Sequence, residues 1–374
     1  MGDRQRSRVV VAGMGDTGVL VATHLRRGFD VTGIGTRPAL VSGQELGNRL
    51  ADPSHWRRNF LLPFSRFRRL DRVRMLHGNI TAVDTEARQV RVALADGAET
   101  TAPYDVLVIA SGVTNGFWRT NQVEDLDAIE AGLAVVAAQI DAATTVAVVG
   151  GGATGVSVAQ NLARRHPSKQ VHLFYGQDEP LPGYHPDVRA RIVRHLDKAG
   201  VHLHPGHRAA VPEGFRGDRL TTDPVEWSTG QADFAADLVL WAIGQVRPNS
   251  GFLPAELVDE RGFVRVDEHL QVPGHPEVFA VGDIAASDPN RSSARNFGYF
   301  VVTHNIKATV RGRGKQRRFK APPYRWGSIA GLQDDGMVIF QPNGKAFRFP
   351  RWAVQPLLFR LYMHVLMYGG LRRP

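Results

Sequence analysis

Short apolar runs alternate with helical patterns along the first part of the chain. Residues 9–12 form one such run, and a glycine-rich turn over residues 13–18 follows it directly. A helical pattern then continues to Gly28, and residues 29–34 fit a second strand. This succession predicts a strand, a tight turn, a helix and a second strand.

The same succession recurs about 137 residues later. Residues 145–149 lead into a second glycine-rich turn, a helical pattern and a strand at 170–175. Both turns have the G-x-G-x-x-G spacing, in which glycines allow a tight turn and close approach to a pyrophosphate. The helix that follows offers free N–H groups to the phosphates. The glycines are Gly13, Gly15 and Gly18 in the first turn and Gly150, Gly152 and Gly155 in the second.

Three further segments predict buried strands. Residues 104–112, 237–244 and 278–285 are nearly continuous apolar runs that end in small residues. Continuous runs are typical of parallel strands covered on both faces. The pattern predicts an α/β fold with two Rossmann-like dinucleotide-binding domains; the alternative is two unrelated α/β turns with chance glycines.

In this order, the motifs resemble the FAD/NAD(P)-dependent pyridine nucleotide oxidoreductase superfamily, the flavoproteins with two dinucleotide-binding domains. Residues 265–275 and 278–283 are particularly similar to apoptosis-inducing-factor-like ferroptosis-suppressor proteins, and the chain also resembles type II NADH:quinone oxidoreductases. The resemblance covers roughly residues 8–310.

The resemblance implies a division of the chain into an FAD domain and an inserted NAD(P)H domain. Residues 1–117 and 246–310 would form the FAD domain, and residues 118–245 the NAD(P)H domain. Residues 311–374 would form a short basic C-terminal region with an aromatic and apolar helix.

The resemblance also implies the roles of individual residues. The first three glycines would bind the FAD pyrophosphate, and Gly282-Asp283 the ribityl chain, while Ser111 and Gly112 would lie at the domain junction. Gly150, Gly152 and Gly155 would bind the pyrophosphate of NADH or NADPH, with Gly244 at the return crossover.

Three positions depart from the family pattern. An acid usually ends the second strand of each unit and binds the ribose. Here Gly35 is followed by Thr36 and Arg37, which are the candidate substitutes on the FAD side, and Tyr175 takes the place in the second unit. Without that acid NADPH is not repelled, and the choice between NADH and NADPH stays open. Ser157 stands where many relatives carry a glutamate near the nicotinamide.

The absence of cysteine excludes several redox mechanisms. A sequence with no cysteine forms no redox disulfide, Cys-ligated zinc site or iron–sulfur cluster. We therefore expect reduced flavin to pass electrons directly to an acceptor, with a quinone favoured. The alternatives are a ferredoxin-type carrier protein, or a degenerate nucleotide-binding sensor with no catalysis.

The basic charge lies in the C-terminal region. The whole chain has a net charge of +10, but residues 311–374 contain 13 Lys and Arg against two acids. The segment 311–325 suits an anionic partner or is a solvated loop. The apolar segment 347–368 contacts a membrane or a second copy in a homodimer, or it packs on the protein's own core. Nucleic acid is disfavoured because no zinc finger, RNA-recognition or helix–turn–helix signature is evident.

The run at 9–12 is too short for a secretion signal, so we expect a cytoplasmic protein whose C-terminal region is a candidate for binding the inner face of the membrane.

His202, His204 and His207 lie close together, with His202 and His204 on one strand face, but surface histidines are favoured and no metal is predicted. Glu45 is either near the flavin, by analogy with related reductases, or a surface acid.

Overall fold

The computed structural model describes residues 6–243, 246–291 and 297–373. Gly244, expected at the return crossover, lies outside the described residues. The strands are β1 (Arg8–Ala12), β2 (Asp30–Gly35), β3 (Ala39–Val41), β4 (Leu61–Pro63), β5 (Val73–Asp84), β6 (Gln89–Leu94), β7 (Glu99–Pro103), β8 (Val106–Ile109), β9 (Val113–Thr114), β10 (Thr145–Val149), β11 (Gln170–Phe174), β12 (His202–His204), β13 (Leu238–Trp241), β14 (Arg247–Pro248), β15 (Gln271–Val272), β16 (His275–Ala280), β17 (Leu332–Gln333), β18 (Gly336–Phe340) and β19 (Ala346–Phe349). The helices are α1 (Asp16–Leu25), α2 (Leu46–Ala51), α3 (Pro53–Phe60), α4 (Leu126–Ala142), α5 (Ala153–Arg165), α6 (Pro186–Lys198), α7 (Gly298–Arg311) and α8 (Arg351–Ala353), which continues as a π-helix over Val354–Met367.

The larger sheet has eight strands in the order β15-β16-β8-β1-β2-β5-β6-β7. From β16 to β5 every neighbouring pair is parallel, and β6 and β7 extend the sheet as an antiparallel meander. Val9, Val11 and Val108 are fully buried, as the continuous apolar runs predict. The carboxyl ends of the parallel strands therefore meet at one edge of the sheet.

The smaller sheet repeats the central geometry of the larger one. Its order is β12-β11-β10-β13, all parallel, so β10 lies between two parallel neighbours as β1 does. Each central strand runs through its glycine turn into a helix, α1 or α5. The predicted α/β fold with two Rossmann-like units is confirmed.

The two connections between the sheets each contain a short strand, and these two strands pair with each other. β9 leaves the larger sheet and pairs antiparallel with β14, which returns from the smaller one. Along the chain, strands of the larger sheet come both before and after the strands of the smaller sheet. This is the order expected when one domain is inserted into another. The boundaries at 117, 245 and 310 stay predictions, since α2 packs into the core of the smaller sheet while part of α4 packs into that of the larger.

The C-terminal helix packs on the protein's own core along one face only. Val354, Phe359, Met363 and Tyr368 are buried at intervals of five, four and five residues, which matches the wider turns of a π-helix. Phe359 makes an edge contact with Phe60, and Tyr368 makes one with Phe67. Of the alternatives for the segment 347–368, packing on the protein's own core is therefore confirmed for this face of the helix.

The opposite face of that helix is apolar and exposed. Trp352 is 75% exposed and Leu366 60% exposed. We call this face the exposed apolar face; its members are Trp352, Leu357, Leu361, Tyr362, Val365 and Leu366. The nearly continuous apolar sequence therefore serves two opposite surfaces rather than one.

The basic segment 311–325 runs along α7. Asn305 holds it through two hydrogen bonds with the backbone of Arg317, and Arg318 forms an ion pair with Glu268. Most of its residues remain exposed. In the described part of the chain, no helix has the length and apolar character needed to cross a bilayer.

The histidines of β12 join an aromatic stack on one face of the smaller sheet. His202 and His204 both stack on His172, and His172 Nδ1 lies 2.9 Å from His204 Nε2. Phe174 also stacks on His204. No group of three metal-ligating side chains occurs among the described residues. The shared strand face is confirmed, and the rings pack as aromatic groups.

This stack predicts a loss of stability at mildly acidic pH. Burial, followed by repulsion from His202 and His204, lowers the pKa of His172 to about 4. Burial also lowers the pKa values of His24, His55, His166, His195, His204 and His364. Because these folded-state values lie below the unfolded value of about 6.5, the unfolded chain binds more protons, and stability falls as pH drops below about 6.5.

Urea unfolding measured from pH 7.5 to pH 5 should show this decrease. His172→Phe should flatten the pH dependence by about 1 kcal/mol at pH 5, a value reduced because the ring is only half-buried. An unchanged pH slope in that variant would contradict the assignment to the stack.

Candidate functional site

A cleft of about 630 Å³ opens where the parallel strands of the larger sheet end. The segments that line it include the first glycine-rich turn, the end of β2, the end of β8 with Ser111 and Gly112, and the pair Gly282-Asp283. These segments are far apart in sequence, and they meet because parallel strands present their carboxyl ends at one edge.

The first glycine-rich turn is closed on its inner side and open toward the cleft. A Cβ on Gly18 would lie 1.8 Å from the carbonyl oxygen of Gly13, and one on Gly13 would lie 2.5 Å from that of Ala110. A Cβ on Gly15 would meet no atom within 4 Å. Gly15 is the N-cap of α1 without a side-chain cap, so the first N–H groups of the helix face the open space.

Asp283 is the buried acid at the floor of the cleft. Its side chain is 5% exposed, and Oδ2 accepts a 2.5 Å hydrogen bond from Nη1 of Arg119. Its second oxygen, Oδ1, is buried with no hydrogen-bond partner among the described residues. Burial lowers the pKa of Arg119, but the charge of Asp283, their hydrogen bond and the charge of Asp16 outweigh it and raise that pKa. One carboxylate oxygen thus remains available to a hydroxyl donor.

Asp16 holds the neighbouring loop against the glycine turn. Its two oxygens accept hydrogen bonds from Ser42 Oγ at 2.7 Å and from the backbone N–H of Gly43 at 2.9 Å. That loop continues to Glu45, which is 8% exposed and accepts a hydrogen bond from Asn48. The surface-acid alternative for Glu45 is therefore wrong.

Glu45 and Ser157 line a second cavity of about 180 Å³ next to the cleft. Arg119 and Asp283 border both spaces, so the smaller cavity adjoins the floor of the cleft. Ser157 is 4% exposed, and its Oγ has no hydrogen-bond partner in the described residues. It lies so close to α2 that a Cβ on Gly47 would be 2.3 Å from this oxygen. Ser157 therefore stands where the two glycine-turn units meet.

At the end of β2, the fold brings Arg37 together with Glu124, a pairing that the sequence does not reveal. Thr36 and Arg37 line the cleft, and Arg37 forms an ion pair with Glu124 at 2.7 Å. Arg37 also donates to the carbonyl of Thr120, and the N–H of Glu124 donates to that of Thr36. Glu124, about 90 residues away in sequence, thus brings a carboxylate to the place where the sequence lacks one.

The cleft is lined by several cations. They are Arg37, Arg49 and Arg119. Burial, and to a smaller extent the charge of Arg37, lowers the pKa of Arg49 to about 10. At that value the guanidinium remains charged at neutral pH. The same cleft is lined by three acids, Asp16, Glu124 and Asp283, so it carries charges of both signs.

The second glycine-rich turn reproduces the first. A Cβ on Gly155 would lie 1.9 Å from the carbonyl oxygen of Gly150, and one on Gly152 would meet nothing within 4 Å. Gly152 is the N-cap of α5 without a side-chain cap. Tyr175 follows β11 and is buried, 2.7 Å from the position of a Cβ on Gly151. The second unit is thus built for the same kind of ligand.

The two connecting strands are joined at the junction. Ser111 Oγ donates to the carbonyl of Asn249 at 2.7 Å, and the Asn249 amide donates back to the carbonyl of Ser111 at 3.0 Å. Gly112 has φ +65° with no atom near its Cβ position. Asn249, Arg119 and Glu124 were absent from the sequence prediction because nothing in their local patterns distinguishes them.

Two glycine-rich turns of the same geometry, each leading into a helix without a side-chain cap, lie on two Rossmann-like sheets. The sequence profile described as pyridine nucleotide-disulphide oxidoreductase matches residues 7–307. The chain belongs to the pyridine nucleotide-disulphide oxidoreductase family, as the resemblance predicts.

Three relatives are similar to this chain at 28–29% identity. Oxidoreductase ptaL of Pestalotiopsis fici is 29% identical over 79% of this chain and 77% of its own length. Ferroptosis suppressor protein 1 of Taeniopygia guttata is 28% identical over 61% of this chain, and the match spans 62% of that protein, less than two thirds. Type II NADH:quinone oxidoreductase NdhA of Mycobacterium tuberculosis is 28% identical over 82% of this chain and 73% of its own length.

The fold also matches a solved structure. The sulfide:quinone oxidoreductase from Aquifex aeolicus superposes with a TM-score of 0.70 at 15% identity, covering 97% of this chain and 92% of that one. At this identity the likeness concerns the fold.

Proposed function

We propose that the protein is an FAD-dependent NAD(P)H oxidoreductase whose reduced flavin passes electrons directly to a quinone. In this proposal residues 1–117 and 246–310 bind FAD, residues 118–245 bind NADH or NADPH, and residues 311–374 form the C-terminal region. The single observation that carries it is the large cleft, where the first glycine turn and the buried Asp283 meet.

The cleft fits an FAD in two respects. The unpartnered Oδ1 of Asp283 is a buried acceptor for a ribityl hydroxyl, and a buried acceptor without a partner is costly unless a ligand supplies one. The open space at Gly15, facing the start of α1, suits the pyrophosphate. When bound, the flavin accepts a hydride from the nicotinamide and passes the electrons on.

The protein's own residues position the two nucleotides. Gly152 and the start of α5 would hold the nicotinamide nucleotide, and the smaller cavity at Ser157, beside Asp283, would receive its reactive end. The buried side chains of Ser157 and Asp283 border the place where the two nucleotides would meet. The chain carries no thiol, so no cysteine relay separates the flavin from its acceptor.

Quinone is the favoured acceptor for two reasons. A type II NADH:quinone oxidoreductase is among the relatives, and the exposed apolar face gives the protein a surface toward the phase in which quinones dissolve. Arg351 and Arg360 are exposed on the same helix. We propose that this face docks on an anionic lipid surface of the inner membrane, with the arginines at the headgroups.

Anaerobic stopped-flow on flavin-loaded protein tests the reaction. NADH or NADPH should bleach the visible absorbance of the flavin, and a short-chain quinone should restore it. Flavin that neither nucleotide reduces would favour the nucleotide-sensor alternative. Reoxidation by an acidic carrier protein with strong salt dependence, and none by quinone, would favour the ferredoxin-type reductase.

Co-sedimentation with phosphatidylglycerol and phosphatidylcholine vesicles tests the docking surface separately. The protein should pellet with the anionic vesicles, and Leu361→Glu with Val365→Glu should abolish this while leaving flavin content intact. Val135→Glu is the matched control, since Val135 is 60% exposed on α4. If the double variant pellets normally, or if it converts a dimer to a monomer, the lipid assignment is wrong.

A further inference from the structure

The end of β11 is the place where a nucleotide-binding unit recognises the adenosine ribose. Tyr175 and Gly176 occupy it, so the strand itself supplies no acid for the ribose hydroxyls and no arginine for a 2′-phosphate. The sequence alone therefore leaves the nucleotide open. The structure shows which other segment comes to this position.

A loop about 30 residues further along the chain packs onto the end of β11. The N–H of Tyr175 donates to the carbonyl of His204 at 3.1 Å, and the N–H of His207 donates to that of Tyr175 at 3.0 Å. The N–H of Gly206 donates to the carbonyl of Gln177 at 3.3 Å. These backbone bonds on both sides of Gly176 fix the loop against it.

Arg208 covers the glycine at this position. Its Cβ and Nε lie 3.6 and 3.7 Å from the point that a Cβ on Gly176 would occupy. Its backbone is anchored, because its N–H donates to Thr229 Oγ1 at 3.1 Å and its carbonyl accepts from Ser228 at 2.8 Å. The side chain is exposed, and within the described part of the chain it enters no ion pair.

The two acids that follow Gln177, after the end of β11, form no ion pair with the arginine. Glu179 is already paired with Arg189 at 2.9 Å. Asp178 is the other acid and is exposed to solvent. A guanidinium in this place presents paired N–H donors that match the oxygens of a phosphate.

Resting on the proposed function, we propose that the electron donor is NADPH and that Arg208 determines this specificity by binding the 2′-phosphate of its adenosine ribose. Gly176 lies within ordinary van der Waals reach of the arginine. The specificity residue comes from a separate loop, which is why the sequence around Tyr175 does not reveal it.

Calorimetric binding of adenosine 2′,5′-bisphosphate and of AMP, which differ only by the 2′-phosphate, to the full chain tests this without any turnover. The bisphosphate should bind about 10- to 100-fold more tightly, the range expected for charge-assisted hydrogen bonds to one phosphate. Arg208→Ala should remove that difference and leave AMP binding unchanged, and Arg208→Lys should retain part of it. Arg194→Ala, which removes an exposed arginine from α6 in the same domain, should leave both affinities unchanged.

Flavin reduction provides the second readout. In stopped-flow, Arg208→Ala should lower the apparent affinity for NADPH by the same factor, with an unchanged limiting rate and unchanged kinetics with NADH. Equal affinity of the original chain for the two adenine nucleotides, or an equal loss for both in Arg208→Ala, would overturn the inference. If the bisphosphate binds as expected but neither dinucleotide reduces the flavin, the proposed function fails and the specificity assignment stands.

Discussion

The Gly18→Ala protein is expected to purify without bound flavin and to be less stable by about 3 kcal/mol, the upper part of the range for overpacking. The added Cβ would lie 1.8 Å from the carbonyl oxygen of Gly13. The oxygen that it would meet belongs to the backbone, so the clash cannot be relieved by rotation of a side chain. The start of α1 must move off the turn, and its N–H groups would no longer face the pyrophosphate.

Two alanine substitutions nearby separate folding from binding. Gly28→Ala, just after α1, meets no atom within 4 Å and should change neither stability nor flavin content. Gly15→Ala also meets no atom, but its Cβ enters the cleft, so it should keep the stability and weaken flavin binding. Urea unfolding measures the stability, and the ratio of flavin absorbance to protein absorbance measures the flavin content. Full flavin occupancy in Gly18→Ala would exclude the proposed site.

The Asp283→Asn protein should also lose flavin, for an electrostatic reason. The substitution removes the acceptor that we assign to the ribityl chain and leaves Arg119 without its carboxylate at 2.5 Å. We expect a stability loss of about 2 kcal/mol, below the value for a fully buried pair because Arg119 is one-third exposed.

A double-mutant cycle identifies the source of that loss. Arg119→Met combined with Asp283→Asn should recover most of the stability, since no charge is then left unpaired, while flavin binding stays weak. Asp105→Asn is the matched control: its ion pair with Arg8 is exposed on both sides and should cost less than about 1 kcal/mol without affecting flavin. Additive losses in the cycle would show that the pair does not couple.

Local patterns predicted the central strands well. β10 has the expected bounds of 145–149, and β11 ends one residue before the expected 175. These strands are buried on both faces, so their apolar runs are continuous and easily recognised. The meander of β5 to β7 and the hairpin of β18 and β19 were not predicted, since their apolar positions alternate with polar ones and carry a weaker signal.

The site was predictable only where it depends on backbone. Gly13, Gly15 and Gly18 are recognisable because a close approach of main chains requires glycine at fixed spacing. Arg119, Glu124 and Arg208 are ordinary exposed-type residues in their local sequence. Their importance depends on a partner that lies between about 30 and 160 residues away, which is a property of the fold.

The sequence by itself determined the two glycine-turn units, the parallel strands that carry them and the absence of a thiol. Local backbone sterics and the alternation of apolar runs decide these features, and both are written in neighbouring residues. The tertiary structure alone decided which side chains meet at the strand ends: Asp283 with Arg119, Arg37 with Glu124, and Arg208 with Gly176. It also decided that the C-terminal helix has one buried and one exposed apolar face, because only the π-helical winding and the surface beneath it distribute those residues.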